Sequence, residues 1–175
     1  MYAVHHAGRA GDERYISAFE HYPLAFLIAG SIPIGPVFLQ LAAAAMVWVS
    51  FARPEWSDHA LFSAALILTS TAVLGGSEYI FRQIYGHLYG STLTEASLVA
   101  YGSWLLIAHV RRSRAGVLIC LCAMMYAIAF PIVVGYAGWL DAIGAILFAA
   151  AIFSFGLAVA QHVGVRLFSA DNAFE

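Results

Sequence analysis

Lysine is missing from this chain altogether: all eight basic residues are arginine, set against ten carboxylates for a net charge of −2. Charged residues of every kind make up only 10% of the 175, where soluble domains carry roughly 25%. A surface facing water cannot be built from so little charge. The hydrophobic content of 62% and the mean hydropathy of +0.82 point instead to an integral membrane protein. The few cations are spread thinly, and phosphate binding needs them clustered, so nucleic acid is not an expected partner.

Cysteine is almost as scarce. Cys120 and Cys122 stand two apart in an apolar run, where a helix would point them to different faces, so neither a disulfide nor a metal site is expected from them. Also missing are a Gly-rich phosphate loop, a zincin histidine pair, a serine nucleophile elbow and a redox cysteine pair. The stretch MYAVHHAGRAGDERYISAFEHYP is polar and has no apolar run followed by a small-residue cleavage site, so no removable signal peptide is expected.

What is present is oil in long pieces. Crossing about 30 Å of hydrocarbon takes roughly 20 apolar residues as a helix, and five segments approach this: Leu24 to Phe51, Ala60 to Ile80, Leu93 to Val110, Val117 to Ala137 and Leu140 to Val163. The expected architecture is an all-α bundle of five transmembrane helices occupying residues 23–166, after a polar arm (1–22) and before a short tail (167–175). Five crossings place Arg53, Arg111, Arg112, Arg114 and Arg166 on one side and Arg9, Arg14 and Arg82 on the other. That bias predicts an outside N-terminus and a cytoplasmic C-terminus. Abundant alanine, arginine-only basicity and the polar start suggest a bacterial inner membrane.

Several helix ends carry recognisable chemistry. Ser57 or Asp58 is placed to cap the second segment after Pro54, Thr92 and Glu95 have capping-box spacing, and Pro23 suits a helix start. Pro33 and Pro36 in GSIPIGP predict a bend or loosening of the first helix, and Pro131 predicts the same in the fourth. Runs such as LAAAAM and AIGAILFAAA allow helix backbones to approach closely.

Three polar groupings are candidates for chemistry. In GGSEYIFRQIYGHLYGS, Glu78 and Arg82 are four apart and would pair on one helix face, while Tyr79, Phe81, Tyr85 and Tyr89 suit an interfacial belt. Parity of crossings puts His5, His6, Glu20, His21, His87, Glu95 and Asp141 on that same outer side, with His21, His87 and Glu78 as candidate metal ligands or proton relays. On the other side His59, His109 and His162 would share one depth, with His109 and His162 the favoured pair for a b-type haem. Gln40 and Gln161 are uncharged polar residues in or near the spans. Both suit hydrogen bonds between helices, and Gln40 would also suit a polar path.

The string EYIFRQIYGHLYGST, Glu78 to Thr92, resembles a short stretch of the subunit III family of haem-copper oxidases. There a glutamate–tyrosine pair is followed by a tyrosine-glycine-serine-threonine string before a helix. The likeness stops at Thr92, because the family's histidine-rich continuation is replaced by LTEASLVAYGSWLLIAH and its later tryptophan and histidine signature has no counterpart. The family is not assigned on this basis.

The expectation from these observations is a small subunit of a larger membrane complex. Short loops and histidines at helix ends suggest a redox link, with haem b or a metal ion as cofactor and a quinone-proximal role. The expected partners are the bilayer and other membrane subunits or further copies of the chain. A small-solute or ion transporter, and a membrane enzyme using the outer histidine and carboxylate cluster, are the alternatives.

Overall fold

The computed structural model describes residues 22–85, 92–135 and 137–163, and every regular element among them is helical. In chain order these are α1 (Leu24–Ser31), a 3-10 turn (Ile32–Ile34), α2 (Pro36–Ala52), a second 3-10 turn (Pro54–Trp56), α3 (Ser57–Tyr85), α4 (Thr92–Val110), α5 (Arg114–Val133) and α6 (Trp139–Val163). With α1 and α2 as two halves of one rod, the described residues form five helices.

Among the described residues, four stretches are long and apolar enough to cross a membrane: Leu24–Ala52, Pro54–Ser77, Arg114–Val133 and Trp139–Val163. The fifth helix, α4, is built differently. It packs against α2, α3, α5 and α6, and Ala96, Leu98, Val99, Ala100 and Ser103 along it are buried. A helix surrounded by helices needs no broad lipid-facing surface, so Ser97, Tyr101, Ser103 and Trp104 fit there.

Size is sorted in the opposite sense to a soluble domain. The buried positions are largely alanines and serines, including Ala43, Ala60, Ser63, Ser70, Ala127 and Ala145, whereas Trp48, Phe51, Ile119, Leu140 and Phe155 lie on the outside. Small side chains let the helix axes approach, which in hydrocarbon is the main source of helix–helix attraction. Larger groups fill the junctions. Leu27, Ile34, Leu98, Tyr101 and Phe130 form one cluster, and Leu39, Ile67 and Leu74 another. Phe38 and Trp104 pack against both, edge to face with ring centroids 6.4 Å apart.

The prolines act where GSIPIGP places them. Pro33 has no N–H to give and Pro36 has none either, so the α-helical ladder is interrupted. The chain tightens into the 3-10 turn, Gly35 takes an extended conformation (φ −73°, ψ 152°), and α2 restarts at Pro36. Pro23 sits just ahead of α1 as its N-cap. Pro131 is accommodated inside α5, which continues two residues further, to Val133. The helix then ends at Gly135, whose φ of +83° is a left-handed stop that glycine adopts cheaply.

Candidate functional site

The interruption between α1 and α2 strands backbone carbonyls that a continuous helix would occupy. Side-chain hydroxyls from later helices reach them. Tyr126 on α5 donates to the Gly30 carbonyl (2.8 Å), Tyr101 on α4 to that of Pro33 (2.6 Å), and Ser97 on α4 to that of Ile34 (3.3 Å). Tyr22, just before α1, donates to the carbonyl of Val133 at the end of α5 (3.1 Å). Irregular backbone among apolar helices is stable only when its polar groups are answered within the protein. Here two tyrosines and a serine do so, and Gly30 lies so close to the Phe130 ring that a Cβ would collide with it.

Near this break, in the first turn of α4, lies Glu95. It is half-buried, and its Oε2 is fully covered without a hydrogen-bond partner. Asp141, in the first turn of α6, accepts a hydrogen bond from the Gly138 amide (2.6 Å) and so acts as a local helix-start cap. The two carboxylates are close enough to repel. Trp104 Nε1 is likewise buried without a partner.

At the opposite rim the three histidines come to the same end of the bundle. His59 is half-buried at the start of α3, His109 is exposed at the end of α4, and His162 is exposed at the end of α6. Among the described residues, no three His, Cys, Asp or Glu side chains are grouped to share a metal ion. The arginines of this rim divide. Arg111 lies 4.4 Å from the Trp56 ring centroid and donates to the Glu55 carbonyl (2.9 Å), tying the α4–α5 turn to the α2–α3 turn. Arg53 pairs with Glu55 at 3.7 Å.

Other sequence candidates fall elsewhere. Glu78 and Arg82 both lie within α3, which runs unbroken to Tyr85, but their side chains are outside the described residues. So are His21 and His87, together with Glu20 and the arm before it. Gln40 is exposed on α2 and Gln161 is exposed on α6. Cys120 is buried and Cys122 exposed, both as free thiols.

Among the described residues, clefts interrupt the outer surface at two places between helices. One, of about 330 Å³, lies between α3 and α6 with Asp58 at its end and Leu61, Phe62 and Phe155 along it. The other separates α5 from α6 and is floored by α4. No protein-family model, curated protein or solved structure matches the chain.

Sequence reasoning did not single out Tyr101, Tyr126 or Ser97. The signal was there: prolines that free carbonyls in one apolar span demand donors from the others, and a tyrosine within each of two such spans supplies them.

Proposed function

We propose that this chain is a small multi-pass subunit of a larger membrane complex. It crosses five times, with the N-terminus outside and the C-terminus in the cytoplasm, and sits in a bacterial inner membrane. The observation that carries the reading is how the interior polar groups are used. Ser63 and Ser103 bond to each other (2.6 Å), and Tyr101, Tyr126 and Ser97 answer the broken helix. The hydroxyls inside the bundle hold it together, while the outside offers broad apolar faces such as those of Trp48, Phe51 and Leu140. A chain of this kind contributes packing and lipid contact to an assembly.

The redox-linked form of the proposal rests on His59, His109 and His162 sharing one rim, with His109 and His162 as the pair for a haem b or a quinone head group. Extraction in mild detergent followed by mass analysis tests the subunit reading: stable stoichiometric partners support it, and a lone chain at every detergent strength overturns it. A reduced-minus-oxidised spectrum without a b-type α band removes the haem part only.

Transport of a small solute or ion is a second reading, favoured by the broken first helix, since half-helix ends near mid-membrane are a recurring feature of transporters. Flux in proteoliposomes that is unchanged by Gln40→Ala and by Glu78→Gln counts against it.

A further inference from the structure

Helices α5 and α6 each pack on α4 but meet one another only lightly. Between them lie two cavities of about 520 and 390 Å³ that adjoin at Gly102, Leu121 and Phe153. Together they form one groove along α4 from Leu98 to His109, about 16 Å at the rise of an α-helix. That is close to the ~15 Å depth of a single leaflet, half of a hydrocarbon core of about 30 Å. Its floor is open because Gly102 has no Cβ, and one built there would touch nothing within 4 Å. Met124 and Met125 line one wall and adapt readily to an irregular apolar guest.

The two ends of the groove differ in charge. His109 lines the lower end, and the chain then turns through Arg111, Arg112, Ser113 and Arg114. Arg111 is committed to Trp56 and Glu55 on the far side. Arg112, at a φ of 53°, and Arg114 are exposed, and neither has a carboxylate partner among the described residues. Arg114 stands one turn before Val117 and two before Leu121, both of which line the groove, so it belongs to the same helix face. The described carboxylates of this rim, Glu55 and Asp58, lie on the α2–α3 side, and Asp58 borders the other cleft.

We propose that the groove holds an acyl chain of an anionic phospholipid, whose phosphate is received by His109, Arg112 and Arg114. A small free anion has no use for a leaflet-long apolar channel, and a lipid without net negative charge leaves uncompensated the two arginines that lack a carboxylate partner among the described residues. One anionic lipid satisfies both at once. The proposal rests on the reading that the bundle spans the membrane, and its test separates the two.

The full chain, purified in mild detergent, is titrated with phosphatidylglycerol and with phosphatidylcholine of the same acyl chains and followed by native mass spectrometry. One phosphatidylglycerol should bind per chain in preference to phosphatidylcholine. Arg112→Gln with Arg114→Gln should weaken it about 30-fold, at ~1 kcal/mol for each arginine. Gly102→Phe should abolish it by filling the groove while leaving the rim intact, and Leu121→Trp does the same from α5 if the first variant does not fold. Equal uptake of the two lipids, or phosphatidylglycerol binding that survives both groove variants, overturns the proposal. So does a stable dimer lost on filling the groove, which would assign the groove to a second copy. A copurifying quinone displaced by the same variants would overturn it as well. If the chain leaves membranes without detergent, the spanning reading itself fails. If it needs detergent but shows no lipid preference, only this inference does.

Discussion

The α3–α4 seam is closed and the α5–α6 flank is open, although the flank is built from the more apolar helices. In the seam Ser63 and Ser103 are fully buried, and their hydroxyls meet at 2.6 Å. Because Ser103 also donates to the Ala100 carbonyl (2.8 Å), it receives its hydrogen bond from Ser63. In the flank the groove passes over Gly102, the residue immediately before Ser103. Tyr101, one position earlier again, points to the broken helix. Successive residues on an α-helix are about 100° apart, so three consecutive positions of α4 address three neighbours under three packing regimes. Hydropathy does not predict this difference, since the more apolar pair is the open one. Side-chain size and hydroxyl placement create it.

The sharpest way to break the comparison is to make the same change on both sides. Ser103→Leu inserts bulk where no space exists and should cost about 3 kcal/mol, whereas Gly102→Leu one residue away should leave the unfolding midpoint in detergent nearly unchanged. Similar losses for the two would mean that the flank is as tight as the seam. Tyr101→Phe should cost about 2 kcal/mol, because the Pro33 carbonyl is left without its donor in a dry interior. An unfolding titration equal to that of the parent would show that water or another group answers that carbonyl. Gly102→Ala should stabilise by about 0.5–1 kcal/mol, as a helical glycine with open space above it gains propensity without a clash. Ser63→Ala should cost about 0.6 kcal/mol, the usual worth of a hydrogen bond between helices in a membrane. A double-mutant cycle with Ser103→Ala isolates it.

Much of the architecture was legible in the sequence, because apolar length and proline position are both local signals. Five helices lie close to the five apolar segments, four of them long and apolar enough to cross a membrane, and the first breaks at its two prolines. The fourth segment is displaced towards its start, running from Arg114 to Val133 where Val117 to Ala137 was expected. Ser113 caps the helix by accepting from the Gly116 amide (3.1 Å), so an arginine opens the first turn with its long stem free to reach outward. At the other end Gly135 stops it early.

The facing of the helices was not legible. When nearly every position is apolar there is no stripe to say which side meets protein and which meets lipid, so neither the groove nor the tight seam can be foreseen. The unpartnered carboxyl oxygen of Glu95 belongs to the same class. Capping-box spacing suggested a role at the start of α4, but whether a carboxylate is covered depends on which helices pack over it.

The hydroxyls that answer the break in the first helix all come from segments made later in the chain. A nascent polypeptide released into the bilayer as far as α3 carries the bare carbonyls of Gly30, Pro33 and Ile34 with no donor yet synthesised, a state that hydrocarbon penalises by several kcal/mol for each group. The α1–α2 helix therefore settles only after helices made later in the chain. Its entry must wait for α4 and α5, or be shielded by the insertion machinery until Ser97, Tyr101 and Tyr126 arrive.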